Sequence, residues 1–189
     1  MQKEEEDRRV RKTKARIRQA LTQLLMKKDL KDISVSELTE LADINRGTFY
    51  LHYKDIYDLF EQTEEEVVED FTTILGKYKT QSQILWMSAL FDLFQYIAAN
   101  SDLFIAIFHA RETRLLNQII EQGRPQNQSE WHKLFGNGKE EYYEYYYDFV
   151  TFGCVAMLRR WFENGMQESP ERMAELAEKL MTNSIMDLS

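Results

Sequence analysis

Residues 44–54, INRGTFYLHYK, concentrate hydrogen-bonding side chains of a kind suited to a nucleic-acid groove. Arg46 can give a guanine two parallel hydrogen bonds, and Thr48 offers either a hydroxyl or a methyl to a base edge. Tyr50, His52 and Lys54 can donate to phosphate oxygens, contacts that position a chain on a duplex without reading it. Leu51 cannot donate and would touch at most a thymine methyl. Gly47 removes a side chain where the backbone would have to come close. With Ser34, Ser36 and Asn45 just upstream, these are the candidate DNA-contacting residues.

Such a set works only if short helices hold it. Ser34 followed three residues later by Glu37 reads as a capping box, which starts a helix near Val35. Val35, Leu38, Leu41 and Ala42 recur at three- and four-residue steps and give that helix one apolar stripe. At Asp43-Ile44-Asn45 the pattern breaks with residues that favour turns, Ile44 becomes the buried pin, and Asn45 can N-cap the next helix. There Phe49 and Tyr53, four apart, pack inward and leave the polar set outside. A bare hairpin of this kind is also an ordinary packing unit, in which Phe49, Tyr50 and Tyr53 are core aromatics.

What accompanies the hairpin distinguishes it. Residues 8–18, RRVRKTKARIR, hold seven cations in eleven positions and no acid, an electrostatic footprint for phosphate. Val10, Ile17, Leu21, Leu24 and Leu25 continue as a helical stripe to about Lys28, so one helix carries both the basic end and a core face.

The order of basic first helix, capped second helix, and a third helix spelling NRGTFYLHY followed by KDIYDLF resembles the N-terminal domain of TetR-type transcriptional regulators. Gly47, Phe49, Tyr50, His52 and Tyr53 sit at the family's spacing, and Asp55 and Leu59 fit the start of its fourth helix. The resemblance covers about residues 9–60. Two positions depart from it: Ile56 stands where the family often has a phosphate-touching lysine, and Leu51 where a polar or basic residue is common.

Charge is divided along the chain. The net charge is −8 and the pI about 5.0, yet residues 1–60 hold 13 Lys+Arg against 11 Asp+Glu, leaving 11 against 21 for the rest. An acidic body behind a basic head would repel DNA everywhere but at the intended face. A domain of residues 1–54 and a second of 55–189 are expected. One cysteine, Cys154, excludes an internal disulfide and reads as a packing residue. The N-terminus MQKEEEDRR has no signal-like apolar region, and the longest near-apolar run, Phe149 to Leu158, is too short to span a bilayer. A cytoplasmic protein with no membrane partner is expected.

Beyond residue 60 the chain reads as helix after helix with no β-period. Asp55 can cap a fourth helix to about Tyr78. A fifth runs from about Gln81 to Ala99, Asp102 starts a short sixth, and another spans about Glu112 to Gln122. Residues 123–139, with Gly123, Pro125, Gly136 and Gly138, read as the main loop. A long helix follows from about Glu140 with Gly165 as its C′ cap, and a last one starts with Ser169 as N-cap and Pro170 at N1.

This last pair offers more apolar surface than a small body needs, which suggests a partner. The resemblance implies a homodimer through these two helices, with Gly153, Met157, Trp161, Met173, Leu176 and Leu180 at the interface. It also implies a small-molecule effector pocket in the body, for which Trp86, Phe91, Phe94, Phe104, Phe108 and Tyr146 are the candidate lining. No helix can bury all of Tyr142, Tyr143, Tyr145, Tyr146 and Tyr147 on one side. The segment ENGMQESPERMAEL is similar to a branch of the family whose C-terminal domains resemble dihydroxyacetone-kinase regulators.

Catalysis finds no motif: His52, His109 and His132 are far apart, and no metal-binding HExxH, cysteine pair, phosphate loop or nucleophile elbow is present. No metal or cofactor is expected. The expected molecule is thus all-α, a three-helix helix-turn-helix head joined by a long fourth helix to a helical ligand-binding and dimerisation bundle. Its expected role is that of a ligand-responsive repressor, not an enzyme, binding a near-palindromic double-stranded DNA operator. Leu51 and Ile56 keep open a second reading, a helical interaction or small-molecule-binding protein that has lost specific DNA binding.

Overall fold

The computed structural model describes residues 2–78, 86–110, 113–135 and 140–186. Among them lie nine α-helices, one 3-10 turn and no strand. They are α1 (Gln2–Leu25), the turn Leu30–Asp32, α2 (Val35–Leu41), α3 (Arg46–Tyr50), α4 (Ile56–Gly76), α5 (Trp86–Ala99), α6 (Ser101–His109), α7 (Leu115–Phe135), α8 (Glu140–Glu163) and α9 (Pro170–Met186).

Two compact units divide the chain: Met1–Val67 with Asn100–Thr113, and Val68–Ala99 with Arg114–Ser189. The expected boundary after residue 54 marks the start of the fourth helix. Packing carries the first unit through α4 to Val67 and adds α6.

In the first unit α1 starts earlier than its apolar stripe suggests. It begins at Gln2 and runs through the whole basic segment. Ile17, Ala20, Leu21, Leu24 and Leu25 form its buried face, and α1 packs on both α2 and α6. On α6, Leu103, Phe104, Ala106 and Ile107 are buried. Its N-cap is Asn100, whose side chain makes no capping bond; Asp102, expected to be the cap, lies within the first turn. Glu64 on α4 is buried and accepts a hydrogen bond from the Thr113 hydroxyl, at 2.5 Å.

In the second unit α5 packs against α9, and α7 against α8. The buried tyrosines of α8 set the register of its neighbours. Tyr143 donates to the Arg124 carbonyl at 2.6 Å and Tyr147 to the Ile120 carbonyl at 3.0 Å. Later residues of α8 thus meet earlier residues of α7, so the two run antiparallel. Tyr146 donates to the Met181 carbonyl and the Trp161 indole N–H to the Glu168 carbonyl, which makes α8 and α9 antiparallel too.

Residues 123–135, expected to be loop, belong to α7. Gly123 and Pro125 weaken a helix taken alone. The buried face formed by Ile120 with Tyr143 and Tyr147 supplies the packing that local propensity lacks. Arg124 lies 4.8 Å above the Tyr147 ring and is paired with Glu144 and Asp148. Residues 136–139 of the expected loop lie outside the described residues.

The turn between α8 and α9 closes as its sequence implies. Gly165 has φ +70°, its N–H bonds the Phe162 carbonyl, and the Met166 N–H bonds the Trp161 carbonyl, the paired bonds of a Schellman cap. Ser169 then accepts from the Arg172 N–H at 3.3 Å as α9 begins at Pro170.

Candidate nucleic-acid interface

Each half of the helix-turn-helix is opened by a side chain. Ser34 Oγ accepts the Glu37 N–H at 3.2 Å to start α2, while the Glu37 carboxylate pairs with Lys28, leaving one half of the expected capping box. Asn45 Oδ1 accepts both the Thr48 N–H at 2.8 Å and the Thr48 hydroxyl at 3.0 Å to start α3. Ser34 and Asn45 therefore hold the helices that carry the surface, as well as lying exposed on it.

The turn between them is a second Schellman ring. The Asp43 N–H bonds the Glu40 carbonyl and the Ile44 N–H the Thr39 carbonyl, with Asp43 in the left-handed region at φ +50°. Leu38 and Ala42 are buried as expected, whereas Leu41 is exposed and Ile44 only half-buried. A seven-residue helix has too few turns to bury the whole stripe.

In α3, Phe49 is fully buried and Tyr53, just after it, nearly so. Arg46, Gly47, Tyr50, Leu51 and Lys54 are exposed, with Thr48 and His52 half-buried. Tyr50 stands edge-on to Phe49, ring centres 5.4 Å apart, which fixes its angle to the surface. Arg46 reaches back to α2 and donates to the Ser36 hydroxyl, so two expected contact residues are joined. Gly47 has a local reason beside close approach: a Cβ there would sit 3.2 Å from the capping Asn45 Oδ1.

After α3, Asp55 and Asp58 cap α4. Asp55 Oδ1 accepts the Asp58 N–H, and Asp58 Oδ2 accepts the Lys54 N–H at 2.8 Å. The Lys54 N–H, helped by Gln62, holds the Asp58 carboxyl below its ordinary pKa. Ile56 is buried and carries no donor for phosphate; Tyr57, next in sequence, is exposed. Sequence reading passed over Tyr57, though its place one residue from a core position marks it.

The basic run is not a uniform footprint. Arg18 pairs with Glu66 at 3.0 Å, Lys14 lies 5.6 Å above the Tyr53 ring, and Arg16 bonds Asp43. Arg8, Arg9, Arg11 and Lys12 are exposed on the second and third turns of α1. Burial pushes the Tyr53 hydroxyl up to about 12, so it stays neutral beside these charges.

The residues expected at an effector pocket do not belong to one unit. Phe104 and Phe108 lie on α6 in the first, and Phe91, Phe94 and Tyr146 in the second. The Trp86 side chain lies outside the described residues. Phe94 packs edge-on against Trp161 with ring centres 5.7 Å apart.

Of the residues expected between subunits, Trp161 and Met173 point into their own core, where the helix pair needs its largest side chains. Gly153, Leu176 and Leu180 are exposed, with Met157 half-buried. Tyr145, Phe149 and Phe152 are exposed beside Gly153 at three- and four-residue spacing and extend that face along α8. Sequence reading passed over the two phenylalanines, which periodicity alone does not separate from the buried aromatics of the same helix. Among the described residues no group of His, Cys, Asp or Glu could hold a metal, and no single helix is long and apolar enough to cross a membrane.

Comparison with known proteins accounts for this architecture. Residues 85–183, more than half of the chain, match a TetR family model described as a transcriptional regulator C-terminal region. An uncharacterized HTH-type transcriptional regulator of Bacillus subtilis, YxbF, is 34% identical over 83 residues, 44% of this chain but 18% of that relative. Among solved structures, the dihydroxyacetone kinase operon activator DhaS is similar with a TM-score of 0.62 and 19% identity, over 92% of this chain and 96% of that one. The fatty acid degradation regulator FadR from Bacillus halodurans is similar with a TM-score of 0.72 and 13% identity, over 89% and 94%. At such identities the structural likeness is one of fold. The capped helix-turn-helix, the all-helical body and the family match together assign the chain: it belongs to the TetR-type transcriptional regulators.

Proposed function

We propose that this regulator binds duplex DNA as a homodimer, placing α3 of each copy in successive major grooves, and that a small molecule held by the second unit sets its affinity. The observation that carries the reading is the division of α3: Phe49 buried, with Arg46, Gly47, Tyr50 and Leu51 outside. Arg46 and Thr48 would meet base edges, and Tyr50, His52 and Lys54 phosphates. Ser34 and Ser36, at the start of α2, lie within the same candidate face. Arg8, Arg9, Arg11 and Lys12 add positive charge on α1.

Support for a homodimer comes from the exposed apolar face of α8 and α9, with Tyr145, Phe149, Phe152, Leu176 and Leu180. Two copies with recognition helices about 34–36 Å apart would meet one side of the duplex and require a near-palindromic operator. Repression by occupying that operator is the expected sign. An effector would act by favouring one dimer shape over another, a population shift between states of different DNA affinity.

The test is selection of binding sites from a random-sequence duplex pool. Affinity for the selected duplex is then measured at several salt concentrations, with wild type and an Arg46→Ala, Tyr50→Ala double variant. An inverted-repeat motif, a steep salt slope and a loss of at least about tenfold in the double variant are expected. Failure of the folded protein to enrich any motif would sink the reading. It would favour an interaction protein without specific DNA binding.

A further inference from the structure

Arg16 belongs to the basic run, yet its guanidinium is turned onto protein. Nη2 donates to the Asp43 carbonyl at 3.1 Å and to Asp43 Oδ2 at 2.6 Å. Asp43 is the left-handed residue of the ring that ends α2, a conformation costly for a residue bearing a side chain and eased for aspartate. Two residues later Asn45 opens α3 and holds Thr48. The backbone at 43 therefore sets the direction in which α3 leaves α2. Arg16 starts from a fixed point, since its neighbour Ile17 is fully buried in the core of the first unit.

We propose that Arg16 is a positioning residue for the recognition helix: it locks the left-handed turn from α1 and acts on DNA through Asp43, touching no phosphate itself. An exposed ion pair between these side chains would by itself contribute little. The bond to the carbonyl of Asp43 is what couples the guanidinium to the backbone of the turn. Arg18 and Lys14, committed to Glu66 and Tyr53, show that this end of the basic run is used inside the head.

The consequence for DNA rests on the DNA-binding reading above, but the clamp can be tested without DNA. Amide hydrogen exchange of the full chain is compared for wild type and Arg16→Ala. Faster exchange by about fivefold at Ile44 and Thr48, with α5 and α9 unchanged, is expected. Unchanged exchange at residues 43–49 would overturn the proposal.

On the duplex enriched by wild type and on a scrambled duplex, Arg16→Ala is then compared with wild type at several salt concentrations. A reduced preference for the selected duplex and an unaltered salt slope are expected. A phosphate contact would instead weaken both duplexes alike and lower the slope by about 0.9; that outcome overturns the proposal. Enrichment of no duplex removes the proposed function and leaves the exchange measurement to decide the clamp.

Discussion

The two compact units spend their polar groups differently. In the first, Ser34, Asn45, Asp55 and Asp58 each bind backbone N–H groups within four residues and open helices of five to twenty-one residues. In the second, Tyr143, Tyr146, Tyr147 and Trp161 donate to carbonyls of another helix or turn, at separations up to thirty-five residues. One region is shaped by local caps and the other by aromatic side chains that carry both apolar area and a donor. The helix ends of the candidate DNA-contacting surface are thus set by near neighbours, with Arg16 on Asp43 as a longer tie, whereas the bundle finds its register through long-range pairs.

The largest test of this contrast is Trp161→Ala. It removes a buried ring packed on Phe94 and the donor to Glu168, and should cost about 3–5 kcal/mol, read by denaturant unfolding. Exchange at α3 amides should stay near wild type while α5 and α9 loosen. Equal loosening of both regions would erase the distinction.

Alkali comes next. Burial pushes Tyr143 and Tyr146 in the second unit, and Tyr53 in the first, up to about 12 from 10. A pKa raised on folding means that the stabilisation is complete below pH 10 and is lost as pH rises toward 12. With two such groups against one, the second unit should open first, as followed by tyrosinate absorbance together with hydrogen exchange. Earlier opening of α2 and α3 would contradict the assignment of the aromatic anchors.

Asn45→Ala is expected to cost about 1 kcal/mol, the usual loss of an N-cap, and to raise exchange at Thr48. No loss would mean that α3 is held by Phe49 alone. The smallest effect is expected from Asp58→Asn. The folded-state pKa of Asp58 is depressed by the Lys54 N–H, so its contribution is present above about pH 4 and fades as pH falls through the lower folded value. The variant should flatten the acid limb of unfolding in the first unit and leave the second unit's limb unchanged.

The same contrast explains what could be read from the chain. Ser34, Asn45, Gly165 and Ser169 announce helix ends because cap chemistry is local, and each lies where its type implies. The stretch after Gln122 misleads for the opposite reason: Gly123 and Pro125 are local signals for a break, and the α8 tyrosines that hold α7 together lie about twenty residues away. At the candidate interface, residue identities were legible but allegiances were not. Nothing in the run RRVRKTKARIR separates Arg16, turned onto Asp43, from Arg9, exposed on α1. Likewise Trp161 and Phe149 are both large and apolar, and only packing distinguishes the buried ring from the exposed one.

The paired rings that end α2 and α8 also differ in portability. At Gly165 the ring needs nothing beyond its own residues and could be moved into another helical hairpin. At Asp43 its partner lies twenty-seven residues away on α1. Residues 34–53 are therefore not a self-contained cassette: a chimera that transplants them onto another head should carry the helix bearing Arg16 as well.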